Sequence, residues 1–476
     1  MSEEQKKEKV QLDESFRDSI ATIDEKGKRV WMFPQQPSGR YYNLRTLFTF
    51  FYLIVFFTLP FIYVNGNPLF EFNVIDRKFI FFGVIFWPQD FFIFVIGMLT
   101  FMVFIIVFTV AFGRIFCGWA CPQTVFLEMV FRRIEYWIEG DSSKQKQLRK
   151  MPWNREKISK RLLKHSIYFF IAFLIANTFL AYIISYKALF HIISQPVSMH
   201  LGGFISILIF TGVFYGVFAW FREQACLIVC PYGRMQGVLL DKHSIVVAYD
   251  YVRGEPRGKF RKNDTAEHGD CVDCGHCVHV CPTGIDIRNG TQLECVNCTA
   301  CIDACDHVMD KLDKPQGLIR YASESDIREG ERTRVTTRKI AYSVLLTVLV
   351  GVLVTLLLTR SDLETTLLRA QGLIFQRQPD HKISNLYNLK MVNKTTHDFP
   401  VTLKLESHKG EIRLVGDSTI YLKAESNDEQ GFFVVLDSVN IMQRKSDVMI
   451  GVYAGDKKVK TVKAAFIAPA SILNKK

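Results

Sequence analysis

Five stretches of this chain, residues 47–64, 91–112, 166–186, 204–221 and 340–359, are apolar over close to the length a lipid bilayer demands. In lipid the backbone has few options, because an unsatisfied N–H or C=O costs several kcal/mol there. A hydrocarbon core about 30 Å thick is crossed by about 20 residues of helix. The five stretches therefore predict an α-helical bundle of five transmembrane helices. A sixth apolar stretch, 79–87, is too short to span, carries Gly83 and runs into Pro88, so an interfacial or re-entrant segment is expected.

Charge orients the spans. Cytoplasmic loops carry an excess of Lys and Arg. The 114–164 connection holds Arg132, Arg133, Lys144, Lys146, Arg149, Lys150, Arg155, Lys157, Lys160 and Arg161, whereas 65–90 and 187–203 hold only Arg77, Lys78 and Lys187. The N-terminus is thus expected inside and the C-terminus outside, with 222–339 on the cytoplasmic side. The net charge of +12 is placed beside apolar segments, a distribution that argues against nucleic-acid binding. The polar N-terminus, 1–39, has no apolar run and predicts no cleaved leader. A chain of 476 residues exceeds one globular core. We divide it into a cytoplasmic N-terminal segment (1–45), a four-helix membrane domain (46–240), a cytoplasmic ferredoxin-like insert (241–335), a fifth span (339–359) and an outer domain (375–476).

The twelve cysteines fall into Cys117 and Cys121, Cys226 and Cys230, and eight between Cys271 and Cys305. Disulfide frameworks belong to small secreted domains, so metal ligation is the better reading. Cys271-Val-Asp-Cys274-Gly-His-Cys277-Val-His-Val-Cys281-Pro282 matches the bacterial ferredoxin run C-x2-C-x2-C-x3-C-P. Cys295, Cys298, Cys301 and Cys305 repeat it, with Asp306 in place of proline. Three cysteines at two-residue intervals wrap one cubane, and the fourth reaches the other. Two 4Fe–4S clusters are expected, one on Cys271, Cys274, Cys277 and Cys305, the other on Cys295, Cys298, Cys301 and Cys281. Paired zinc knuckles would also accept four thiolates each, but two consecutive ferredoxin runs favour cubanes.

The remaining cysteines form two Cys-x3-Cys-Pro motifs, each after a pair of spans and an arginine: Arg114, Cys117, Cys121, Pro122 and Arg222, Cys226, Cys230, Pro231. This is a faint internal repeat. Residues four apart share a helix face, and the proline predicts a helix end or kink at each second cysteine. If the units face one another, four thiols converge. They would bind copper, since soft thiolates select Cu(I), or cycle between dithiol and disulfide. Packing as small hydrophobes is the bland alternative. His276 and His279 are read as tuning the clusters from outside their ligand shell. His165 is interfacial, and His191, Met199 and His200 are loop residues. No GxGxxG or Walker A loop is present, so electrons must come from another protein or from membrane quinol.

From about residue 380 the pattern alternates with period two between turn signals such as His408-Lys409-Gly410, Asn427-Asp428 and Ala454-Gly455-Asp456. That predicts an all-β, immunoglobulin-like sandwich. The five spans, both Cys-x3-Cys-Pro motifs, the twin-cluster insert and this sandwich together resemble the CcoG family, also written FixG or RdxA, the cytochrome c oxidase accessory proteins. Further cues are Phe86-Trp87-Pro88-Gln89-Asp90 and Asn385-Leu386-Tyr387-Asn388-Leu389-Lys390. The resemblance implies a bacterial inner-membrane protein that reduces Cu(II) to Cu(I) while a cbb-type oxidase matures. Its partners would be oxidase subunits or assembly factors, copper ions, an unidentified electron donor and the lipid bilayer. Two other readings stand beside this metal reductase: a quinol-linked respiratory electron relay, and a non-catalytic assembly scaffold.

Overall fold

The computed structural model describes residues 21–469, less 25, 65, 75–77, 88–89, 260–267, 331–335, 362, 371, 373, 380, 396, 417–418, 425, 442 and 456. Residues 1–20, Arg77, Pro88, Gln89, Asp380 and Asp456, on which parts of the sequence reading rest, lie outside the described residues. Among the described residues, five helices are long and apolar enough to cross a membrane: Arg40–Phe61, Phe91–Phe112, Arg155–Ile184, Leu201–Phe221 and Thr337–Leu358. Two begin well before their apolar runs, because polar first turns are capped. The Asn154 side chain accepts from the Lys157 N–H at 2.8 Å, and the Asp303 carboxylate accepts from the N–H groups of Tyr41 (3.0 Å) and Tyr42 (2.8 Å). A carboxylate on orphan N–H groups also suits the positive end of the helix dipole.

The chain divides into two compact units, one built from Met1–Phe61 with Phe94–Leu353, the other from Ile62–Ile93 with Val354–Lys476. In the first, Phe126, Leu127, Phe131, Tyr168, Ile175 and Phe218 form a buried core between helices, with the Phe131 and Phe218 rings stacked at 4.6 Å. The cysteine-rich insert is closed by an antiparallel pair, Val246–Tyr249 with Ile319–Ala322. Its core joins Val247, Ile285, Ile287, Ile302, Met309 and Ile319 to Cys271 and Cys277.

In the second unit, the stretch read as interfacial or re-entrant, 79–87, supplies the last two strands, Lys78–Phe81 and Val84–Phe86, of a three-stranded antiparallel sheet whose other strand is Phe70–Asn73. The last two strands are joined by Phe82 and Gly83, both at positive φ (53° and 76°), the backbone of a tight hairpin. Its aromatics pair across strands, Phe72 with Phe81 at 5.0 Å and Phe81 with Phe86 at 5.8 Å. The C-terminal part holds two antiparallel sheets. One runs Gly410–Leu414, Asn427–Asp437, Lys382–Asn393, Leu363–Arg369, with Gln376–Gln378 also on Lys382–Asn393; the other runs Ile420–Leu422, Phe399–Leu405, Lys445–Ala454, Lys457–Ile467. Tyr387, Leu389, Phe432, Val434, Val448, Ile450 and Phe466 fill the space between them. Leu363–Arg369 joins this sandwich although the sequence boundary leaves it out. Buried Asp90 is paired by Arg360 (2.8 Å) and Lys394 (2.5 Å) in the same unit.

Candidate functional site

The two ferredoxin runs are one design used twice, each cysteine recurring 24 positions later (271 to 295, 274 to 298, 277 to 301, 281 to 305). Their backbones match too. Asp273 (φ 50°) and Asn297 (φ 54°) precede the second cysteine, and Gly275 (φ 70°) and Thr299 (φ 68°) follow it. Alternating left- and right-handed residues turn successive N–H groups to one side, a concavity suited to anionic centres. A helix then opens in each copy, His276–His279 and Ala300–Lys311, carrying the third cysteine in its first turn.

Two cavities result. One is lined by Cys271, Cys274, Cys277 and Cys305, the other by Cys281, Cys295, Cys298 and Cys301, and Cys277 borders both. Cys305, late in the second run, thus faces the first loop, and Cys281, late in the first, faces the second. Burial pushes the thiols of Cys277, Cys295 and Cys305 up to about 12 and that of Cys298 to about 11. Thiolates packed this way require a bound cation to offset their charge. Four soft sulfurs around each cavity, with no carboxylate among the described lining residues, are a donor set that fits an iron–sulfur cluster.

Arginines from outside the insert clamp the second cavity. Arg45 donates to the Cys298 carbonyl (3.0 Å) and Arg132 to that of Pro282 (3.5 Å), while Arg114 bonds the Leu293 carbonyl. All three are buried. Nothing in the sequence marks Arg45 or Arg132 for this part; only Arg114, by recurring before a cysteine motif, gave a signal.

The Cys-x3-Cys-Pro motifs meet face to face. In each, the second cysteine's N–H reaches five residues back, Cys121 to Phe116 and Cys230 to Ala225, both at 2.9 Å. Each such cysteine is extended (ψ 125° and 111°), as a following proline requires, and Pro122 and Pro231 open the next helices. The units are cross-tied. Arg114 donates to Gln236 (2.6 Å), which also accepts from the Cys117 thiol (3.4 Å), and Gln123 donates to the Arg222 carbonyl (3.2 Å). Burial pushes the Cys226 thiol up to about 12, with Cys121, Cys117 and Cys230 close enough to add to the rise. Cys117 also packs with Val296 and Cys298 in one small core. A Cβ on Gly118 would run into the Val296 carbonyl, so the first motif lies directly on the second cluster loop.

The histidines outside the insert stand apart from this chemistry. His165 bonds Tyr215 (2.8 Å), and the His191 and His200 rings meet edge to face at 5.6 Å. Met199 is exposed. The carbonyl of His279 accepts from the Gln35 N–H (2.8 Å), and His276 lines the first cavity.

The chain is similar to several known proteins. A 4Fe-4S dicluster domain model matches residues 221–324, and a 4Fe-4S binding domain model matches 94–145. A model described as the IG-like fold at the C-terminal of FixG matches 353–469. Protein RdxA of Cereibacter sphaeroides is 34% identical over 397 residues, 80% of this chain and 83% of that protein. Nitrogen fixation protein FixG of Rhizobium meliloti is 34% identical over 438 residues, 82% of each chain. The crystal structure of a FixG-related protein from Vibrio parahaemolyticus aligns with 23% of this chain and 97% of its own, at 14% identity and a TM-score of 0.20.

Proposed function

The chain belongs to the FixG/RdxA family of iron–sulfur electron-transfer proteins, and on that premise we propose that it reduces Cu(II) to Cu(I) for the assembly of a cbb-type cytochrome c oxidase. Cys271, Cys274, Cys277 and Cys305 hold one 4Fe–4S cluster, and Cys281, Cys295, Cys298 and Cys301 the other. Bound there, the clusters supply one-electron storage and relay. Cys117, Cys121, Cys226 and Cys230 form the place where copper is met. Each Cu(II) gains one electron and leaves as Cu(I), which thiolates prefer. No bond in the protein need break, and the electron is replenished by a soluble carrier or a quinol. The observation that carries this reading is the contact of Gly118 with the Val296–Asn297 backbone, which sets the first motif, through Cys117, against the second cluster loop.

The distribution of basic residues supports a bacterial inner-membrane setting. There the N-terminus and cysteine-rich insert face the cytoplasm and the sandwich faces the periplasm, where oxidase subunits or assembly factors can reach it. Purified holoprotein, reduced with dithionite and freed of excess reductant, is mixed with Cu(II) and a Cu(I)-specific chelator. Cu(I) should form in proportion to the electrons stored, and clusters that stay reduced under Cu(II) exclude the assignment. Rapid reduction of the clusters by a quinol analogue, with no reaction toward Cu(II), would make the protein a respiratory relay instead.

A further inference from the structure

We infer that Arg45 and Arg114 hold the cluster site ringed by Cys281, Cys295, Cys298 and Cys301 at a higher reduction potential than the site ringed by Cys271, Cys274, Cys277 and Cys305, so that a single stored electron resides at the former. The inference rests on the cluster ligation proposed above. Adding an electron makes a cluster more negative, so a buried cation beside it favours the reduced state and a carboxylate opposes it.

The two cavities differ sharply in this respect. Arg45 is 4% exposed and Arg114 3% exposed, both lie on the backbone of the second cluster loop, and among the described residues neither has a carboxylate within ion-pair distance. One Arg45 nitrogen, Nη2, is buried with no hydrogen-bond partner at all, so its charge is not spent on another contact. Arg132 also reaches this loop, but Glu128 at 2.9 Å and Glu223 at 3.7 Å neutralise it. Glu128, whose charge reaches Cys298, is taken up in that same pair.

Around the first cavity the balance reverses. Among the described residues its one lining guanidinium, Arg288, is bound by Asp286 (2.7 Å) and by Asp273 (2.5 Å), two carboxylates for one cation. Asp306 follows the ligand Cys305, where the ferredoxin pattern has proline, and among the described residues it accepts only the neutral Gly317 N–H (2.9 Å). Asp303, on the same helix, is engaged by the Tyr41 and Tyr42 N–H groups. Cys274 is the exposed member of the eight, so the anionic site is also the one at the surface. With clusters bound, an electron delivered at Cys274 would be favoured to pass from the first site to the second, whose loop abuts Cys117.

The test is a redox titration of full-length holoprotein followed by electron paramagnetic resonance, with iron and sulfide measured beforehand. Two separated waves are expected, and Cys274→Ser marks the lower one by perturbing it alone. Arg45→Gln and Arg114→Gln should each lower the upper wave and leave the lower in place, Arg45→Lys should restore most of the loss, and Asp306→Asn should raise the lower wave. Waves in the reverse order overturn the inference. So does an Arg45→Gln protein of full iron content whose upper wave has not moved. Wild-type protein that cannot be loaded with iron at these cysteines would fail the ligation reading instead.

Discussion

Gly118 is where two chemistries touch, and its lack of a side chain is what lets them. With the Val296 and Asn297 carbonyls lying where a Cβ would go, any larger residue must push the first Cys-x3-Cys-Pro motif away from the cluster loop. We expect Gly118→Val to keep its iron while its clusters are reoxidised by Cu(II) at least tenfold more slowly in stopped-flow absorbance; an unchanged rate would place the copper site elsewhere. Thr299 shows a different local cost. A β-branched residue at φ 68° is strained by about 1–3 kcal/mol, and its twin in the first run, Gly275, takes the same turn without that penalty. The cysteine spacing could be read from the chain because ligand geometry is local. The arginines could not, since what makes Arg45 a cluster neighbour is the packing of residues more than 250 positions away.

At the level of elements, the helix Arg132–Glu139 is anchored by a buried ion lattice. Glu135 takes both Nη atoms of Arg222 (2.8 and 2.9 Å), and Lys164 bridges Glu135 (3.5 Å) and Glu139 (2.9 Å). Burial alone would raise the Glu135 carboxyl; Arg222 and then Lys164 overcome it and hold the group at about 2, against an ordinary 4.5. Because the folded value is depressed, its contribution is complete above about pH 4.5 and is lost as pH falls toward 2. Glu135→Gln, which leaves Arg222 buried without its partner, should cost about 3–5 kcal/mol and flatten that acid limb in thermal unfolding of detergent-solubilised protein. An unchanged acid limb would show the lattice to be incidental. In the sandwich, Tyr387 reaches from one sheet to the Ala465 carbonyl of the other at 2.9 Å. Tyr387→Phe should therefore cost about 1 kcal/mol, read as a lowered midpoint in urea, with no change in cluster content. The spans were legible because hydropathy is additive along a helix. The hairpin at 78–86 was not, because apolar residues on both faces of its strands erase the period-two signal.

For the molecule as a whole, residues far apart along the chain become neighbours in space within the first unit. Exposed Cys274 opens onto one cavity, Cys277 is shared with the next, and Cys117 packs against the loop of the second. Sequence spacing could propose each station separately; only the fold lines them up, through contacts between the repeated motifs and the insert. The most direct measurement of the account is stopped-flow mixing of fully reduced holoprotein with Cu(II), comparing wild type with the paired variants Cys117→Ser/Cys121→Ser and Cys226→Ser/Cys230→Ser. The account predicts rapid return of the oxidised-cluster absorbance in the wild type, with one Cu(I) formed per electron lost. Either pair of substitutions should slow it by at least an order of magnitude while iron content holds. Variants that retain their iron and transfer electrons to Cu(II) at the wild-type rate would contradict it.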